Sequence, residues 1–188
     1  MRNKILNITS DINFELNQLG IPFTLHFETL HHIITYKPFK GLTGTYIMYD
    51  PILEVTWYIG QSCSPGPTNK GGIQARIPKH YSRSMGTSTD TPMEAWVTFE
   101  RWIKMHQYSF YTNTEVAVIV VDPILFQMYC TNKSYKQVMD DVERQIILYS
   151  TLYPFVNDET FHHSRFSILA PSPNGISLPI PTLMPVIG

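Results

Sequence analysis

The sequence is poor in cysteine and contains no long apolar run. Its two cysteines, Cys63 and Cys130, lie too far apart for the paired spacing of a zinc site and are too few for a disulfide framework. No stretch of about 18 uninterrupted apolar residues is present, and residues 1–18 lack the apolar centre of a signal peptide. We therefore expect a soluble, cytoplasmic protein with reduced thiols and no membrane partner.

Charge of either sign is also scarce. Charged residues make up 15% of the chain and the net charge is −1, so the chain as a whole has no general attraction for polyanions. Apolar residues make up 43%, which is unlike a disordered chain and indicates a folded core. One segment differs, because residues 61–86 contain Lys70, Arg76, Lys79 and Arg83 and no acidic residue. Any polyanion site would have to be local, and this segment is the candidate for it. By itself, however, such a run is more often a solvated face.

Three apolar segments have the composition of strands. GTYIMY at 44–49 and VTWYIG at 55–60 are rich in β-branched and aromatic residues, with a turn at Asp50 and Pro51 between them. TEVAVIVVD at 114–122 is a nearly continuous apolar run, which is typical of a strand buried on both faces. We expect a hairpin and a separate central strand.

A short helix carrying basic residues is predicted after the hairpin. SCSPGPTNKGG at 62–72 is typical of a loop, and its glycines would let backbone N–H groups approach a phosphate. IQARIPKHYSRSM at 73–85 predicts a helix that places Arg76 and His80 on one face. Pro78 falls inside this helix, where proline is normally tolerated only in the first turn or at a kink.

Two longer helices are predicted later in the chain. Residues 91–106 and 134–152 both carry apolar side chains at the helical period, and Ser134 is the candidate N-terminal cap of the second. Pro154 ends that helix, and Glu143 lies beside its apolar stripe. Taken alone, such a carboxylate is usually an exposed helix side chain.

The paired Gly and Tyr residues of the hairpin resemble the GIY-YIG nuclease superfamily. GTY at 44–46 stands where that family has GIY, and YIG at 58–60 is identical, with eleven residues between the two tyrosines. The resemblance implies an α+β fold with a small, mainly antiparallel, three-stranded sheet flanked by helices. We expect the glycines to leave room for a DNA backbone beside the tyrosines. The domains would be an N-terminal accessory arm at 1–40, a nuclease core at 41–158 and a Pro-rich C-terminal arm at 159–188.

The resemblance implies five catalytic residues. Arg76 and His80 match the Arg-x-x-x-His form of the restriction endonuclease branch, and Glu143 corresponds to the metal ligand of the family. In the implied mechanism Tyr46 takes the proton of the attacking water, and Tyr58 and Arg76 hold the phosphate. His80 would position Tyr46, relay a proton to it or donate to the phosphate. A single carboxylate suits one hard cation, Mg²⁺, with Mn²⁺ as a substitute.

Further residues are expected to bind DNA or phosphate, namely Lys70, Lys79, Arg83 and Asn157, the last of which matches the terminal asparagine of the family. Each site residue also has a plain structural interpretation. The tyrosines would be packed core residues, and His80 would be a hydrogen-bonded helix residue. Arg76 would be a surface residue or the ion-pair partner of Asp140 or Asp141, and Lys70 would be a solvated side chain.

The sequence thus predicts a divalent-metal-dependent DNA endonuclease of the sequence-specific restriction type. Its partners would be double-stranded DNA and, as a homodimer or transient oligomer, a second copy of the chain. Two alternatives remain within the resemblance: a phage-encoded, homing or repair-like nuclease of looser specificity, and a catalytically inactive nucleic-acid-binding module. A third alternative is a protein-interaction domain that uses the Pro-rich tail.

Overall fold

The computed structural model describes residues 1–52, 55–64, 71–84, 109–129, 132–149, 156–158 and 163–165. These residues form a mixed α+β fold, as the sequence predicts. The helices are α1 (Arg2–Ser10), α2 (Glu15–Gln18), α3 (Leu30–Tyr36), α4 (Ile73–Ser84), α5 (Phe110–Asn113), α6 (Pro123–Tyr129) and α7 (Tyr135–Tyr149). The strands are β1 (Thr24–Thr29), β2 (Gly44–Asp50), β3 (Val55–Ser62), β4 (Glu115–Val120), β5 (Val156–Asp158) and β6 (His163–Arg165).

The main sheet has the strand order β1-β4-β2-β3, and all neighbouring strands are antiparallel. It has four strands, one more than predicted, because β1 pairs with β4 from Thr24 opposite Val120 to Thr29 opposite Glu115. The sequence around β1 shows no single period, since the strand runs directly into α3. The buried run at 114–122 does form an internal strand, as predicted.

Residues 1–40 are built into this sheet and its core. Besides β1, they contribute buried side chains to both faces of the sheet, with Ile5 and Phe14 on one face and Leu30 and Ile33 on the other. The segment predicted as an accessory arm therefore belongs to the same two hydrophobic clusters as the hairpin, one on each face of the sheet. Of residues 159–188, predicted as the C-terminal arm, the structure describes only β6, which pairs with β5.

The register of the β2–β3 hairpin decides which side chains face each side of the sheet. Tyr46 lies opposite Gly60 and Met48 opposite Tyr58, so strand alternation puts both tyrosines on the same face of the sheet. Residue 61 follows on the opposite face. The tyrosine face packs against α4 and the other face packs against α7.

Helix α4 forms at the predicted place and continues through Pro78. Ile73 and Ile77 are fully buried against the tyrosine face, which offsets the backbone hydrogen bond that a proline in a helix interior removes. Arg76 and Lys79 are exposed, whereas His80 is buried. The helix predicted at 91–106 lies outside the described residues.

Helix α7 begins with a reciprocal cap. The backbone N–H of Ser134 donates to Gln137 Oε1 at 2.8 Å, and the backbone N–H of Gln137 donates to Ser134 Oγ at 3.3 Å. The predicted cap at Ser134 is therefore confirmed. Helix α6 was missing from the sequence-based prediction, although Asp122 before Pro123 is a capping signal and accepts from the Ile124 N–H at 2.7 Å.

Among the described residues, none of the helices has the length and apolar character needed to cross a membrane.

Candidate active site

A cleft of about 640 Å³ lies at the edge of the sheet that is formed by strand β3. Its lining includes five of the predicted site residues, Tyr46, Tyr58, Arg76, Lys79 and Glu143. The cleft is reached from both faces of the sheet, because α4 supplies one wall and α7 supplies the other. The groups that the sequence places far apart thus border one space.

The α4 wall carries an aromatic cluster built on a buried hydrogen bond. Tyr46 Oη and His80 Nε2 are 2.7 Å apart, and the two residues are only 1% and 3% exposed. Tyr58 lies beside them, with its ring centroid 3.9 Å from that of His80 and 6.1 Å from that of Tyr46. When Nε2 is the unprotonated nitrogen of a neutral imidazole, it accepts a hydrogen bond from the Tyr46 hydroxyl. This arrangement can draw a proton away from Tyr46.

Gly44 and Gly60 of the hairpin lie where other protein atoms leave no room for a side chain. A Cβ added at Gly60 would lie 2.7 Å from Tyr46 Oη and 2.6 Å from Tyr58 Cε1. At Gly44, where φ is +142°, it would lie 1.9 Å from the Ile119 carbonyl oxygen. The expectation that these glycines leave room for a DNA backbone is therefore wrong, because tyrosine rings and strand β4 fill the space.

The α7 wall carries carboxylates. Glu143 is 8% exposed, which excludes the interpretation of a fully solvated helix carboxylate. Gln61 Nε2 donates to Glu143 Oε2 at 2.8 Å and also donates to Asp140 Oδ1. Asp140 Oδ2 accepts from Lys136 Nζ at 2.6 Å. Glu143 belongs to the helix on the face opposite Tyr46, and both residues border the cleft around β3.

The pKa of Cys63 is shifted by charged groups on both walls of the cleft. Its pKa is raised to about 11, first because the thiol is partly buried and then because the Asp140 carboxylate disfavours a thiolate. Lys136 and Arg76 act in the opposite direction, and Glu143 acts with Asp140. Charged groups from both walls therefore surround one thiol.

The aspartates considered as partners of Arg76 are paired with lysines. Asp140 pairs with Lys136, and Asp141 Oδ2 lies 2.9 Å from Lys133 Nζ. Arg76 is exposed at the cleft instead. Its guanidinium is therefore placed to meet an anion that enters from solvent.

The remaining predicted phosphate-binding residues are only partly described. Lys79 is exposed and lines the cleft. Lys70 lies outside the described residues. Arg83 belongs to α4 and Asn157 to β5, and at both positions the description is limited to the backbone.

The carboxylates suit a hard divalent cation. Among the described residues there is no group of three or more His, Cys, Asp or Glu side chains arranged to hold a metal ion. Mg²⁺ does not require one, since it keeps several waters and is often held by one or two carboxylates plus substrate phosphate. Glu143, with Asp140 on the same amide, fits that kind of site.

Three residues of the cleft were missed by the sequence-based interpretation, namely Gln61, Lys136 and Asp140. A signal for two of them exists, because Lys136, Asp140 and Glu143 are spaced four and three residues apart on a predicted helix and share one face. Gln61 carries no such signal, since a polar residue at a strand end is ordinary.

Comparisons of the chain with protein-family models, with curated proteins and with solved structures found no match.

Proposed function

We propose that the protein is a divalent-metal-dependent DNA endonuclease of the GIY-YIG type, with the specificity of a restriction enzyme. The observation that carries the proposal is the shared cleft. It brings the Tyr46–His80 hydrogen bond and Arg76 from one wall together with the Glu143 carboxylate from the other. These are the groups that hydrolysis of a phosphodiester needs: a base, a cationic clamp and a metal ligand.

Proton transfer is assigned to the α4 wall. An isolated phenol is a poor base near neutral pH, with an ordinary pKa of about 10. His80 Nε2, at 2.7 Å, takes the Tyr46 proton, and the phenolate then accepts the proton of the attacking water. Burial of His80 and its contact with the Tyr58 ring keep the imidazole in line with the phenol.

Phosphate binding is assigned to the exposed cations of α4. Arg76 presents a planar guanidinium that matches two phosphate oxygens, and Lys79 adds a second positive charge on the same helix. Glu143 would hold Mg²⁺ or Mn²⁺, which when bound neutralises charge on the phosphoryl and departing oxygens. The cations of α4 on one side, and a metal ion held by Glu143 on the other, would thus bracket the phosphate.

The cleft contains one set of catalytic groups and so cuts one strand at a time. We therefore propose that two copies of the chain act together on double-stranded DNA, in the cytoplasm. Each copy would place one cleft on one strand.

The direct test is plasmid cleavage with Mg²⁺ by the wild type, Glu143→Ala and Asp141→Ala. Asp141 is the matched control, because it lies on the same helix but pairs with Lys133 away from the cleft. We expect fragments with defined ends from the wild type and Asp141→Ala, and a rate reduced by about 10²-fold or more for Glu143→Ala. Equal rates for all three would refute the metal role.

Two further outcomes of the same experiment identify the alternatives. Cleavage at many different sequences, seen as ragged ends, would indicate a nuclease of looser specificity and not a restriction enzyme. If the wild type binds DNA but does not cleave it with either Mg²⁺ or Mn²⁺, the protein is a binding module and not an enzyme.

A further inference from the structure

Gln61 lies on strand β3, between the two walls of the cleft. It follows Gly60 on β3 and lies opposite Thr45 of β2. Because side chains alternate along a strand, Tyr58 and Gly60 face α4 while Gln61 faces α7. The first polar side chain after the tyrosine motif therefore points at the carboxylate helix.

The amide of Gln61 is fully engaged. Its Nε2 donates to Glu143 Oε2 at 2.8 Å and to Asp140 Oδ1, so the two N–H groups serve two carboxylates. Its Oε1 accepts from Cys63 Sγ at 2.9 Å, which fixes the direction of the amide. One strand residue thus connects two acids that lie three residues apart on α7.

The choice of a neutral donor matters for a cation site. A lysine or arginine here would also orient Glu143, but its charge would cancel the negative charge that attracts a divalent cation. An amide holds the Glu143 oxygen in place and leaves the charge of Glu143 intact, whereas the charge of Asp140 is already paired with Lys136. Residues that hydrogen-bond to metal ligands in this way typically alter metal affinity or activity by about 10- to 100-fold when they are replaced.

We infer that Gln61 is a positioning residue that holds Glu143, with Asp140 beside it, in the orientation that binds the divalent cation. The inference rests on the proposed function, because it assigns Glu143 as the metal ligand. In this role Gln61 acts through Glu143 and not on the phosphate or the attacking water. Its effect should appear in cation affinity first.

The test compares Gln61→Met with Gln145→Met. Methionine keeps the length of the side chain and removes both N–H donors. Gln145 is the matched control, because it is the same residue type, lies on the helix that carries Glu143 and makes two hydrogen bonds of similar length, from the Glu15 N–H at 2.7 Å and to the Asn13 carbonyl at 2.6 Å. These bonds hold the N-terminal segment and lie outside the cleft.

Mn²⁺ is the probe, and its binding to each protein without DNA is measured by electron paramagnetic resonance of the free ion. We expect the dissociation constant to rise about 10- to 100-fold in Gln61→Met and to stay at the wild-type value in Gln145→Met. In cleavage assays the Mg²⁺ concentration for half-maximal rate should rise in parallel for Gln61→Met, while the KM for DNA stays unchanged.

Two results would overturn the inference, and they are distinguishable. If Gln61→Met keeps the wild-type Mn²⁺ affinity and Mg²⁺ requirement while its melting temperature falls as in Gln145→Met, Gln61 is structural only and the proposed nuclease stands. If Glu143→Ala binds Mn²⁺ as tightly as the wild type, the metal role of Glu143 fails, and the role of Gln61 fails with it.

Discussion

The two walls of the cleft are built from different chemistry on opposite faces of one sheet. The α4 wall contains an aromatic cluster, Tyr46, Tyr58 and His80, whose members are in mutual contact. It also carries the exposed cations Arg76 and Lys79. The α7 wall is acidic and hydrogen-bonded through Gln61. Proton transfer benefits from a dry, rigid neighbourhood, whereas a cation ligand needs negative charge at a solvent-accessible edge. In the proposed enzyme strand β3 would contribute to both, because its alternate residues face opposite walls.

The largest expected effect lies on the α4 wall. Tyr46→Phe removes the hydroxyl that bonds to His80, and we expect the cleavage rate to fall about 10²- to 10⁴-fold. Tyr49→Phe is the control, since it also removes a hydroxyl hydrogen bond, to Glu115 at 2.7 Å, but on the other face of the sheet. A similar loss in both variants, measured by plasmid cleavage, would show that stability rather than chemistry is responsible.

The next effect connects the two walls through Cys63. Because burial and then the Asp140 carboxylate raise its pKa to about 11, the thiolate fraction near pH 8 should be about 10²-fold below that of an ordinary cysteine. We expect iodoacetamide to label Cys63 slowly in the folded protein and faster as the pH rises towards 11. Peptide mass spectrometry of folded and urea-unfolded samples measures both rates.

Asp140→Asn sharpens that measurement. It removes a charge that disfavours the thiolate, so labelling of Cys63 at pH 8 should accelerate. An unchanged labelling rate would mean that the Asp140 carboxylate does not affect the pKa of Cys63. In that case Asp140 of α7 would lie farther from Cys63, which directly follows β3, than the structure indicates.

A moderate effect is expected where the tyrosines meet the hairpin. Gly60→Ala puts a Cβ within 2.8 Å of both tyrosine rings, so the rings or the strand must shift. Overpacking of this kind typically costs about 1–3 kcal/mol of unfolding free energy. Urea unfolding measures this cost, and cleavage should fall because Tyr46 leaves its place beside His80. An unchanged midpoint and rate would show that the pair has room to move.

The smallest effect is expected far from the cleft. Arg2 makes two 2.9 Å hydrogen bonds to Glu115 and lies over the Phe27 ring. Since Arg2 is about half exposed, Arg2→Ala should cost about 1 kcal/mol of unfolding free energy and leave cleavage unchanged. Thermal unfolding and plasmid cleavage together test this. A loss of activity would extend the functional region across the sheet.

Much of the fold follows from local patterns. The hairpin, the buried strand β4 and helices α4 and α7 form where residue type and period predict them, and Ser134 caps α7 as its spacing with Gln137 indicates. Strand β1 was not predicted, since its apolar period merges with that of α3. Its strand form depends on pairing with β4, which is distant in sequence.

The candidate site divides in the same way. The sequence by itself determined which groups are available, because the Gly and Tyr pairs, the Arg and His spacing and Glu143 are visible as residue types at regular intervals. Only the tertiary structure decided that Gly60 makes room for Tyr46, that His80 reaches the phenol and that Gln61 links β3 to Glu143. Such contacts join residues 14 to 82 positions apart, and their distances are set by how helices pack on a sheet, which no local pattern encodes.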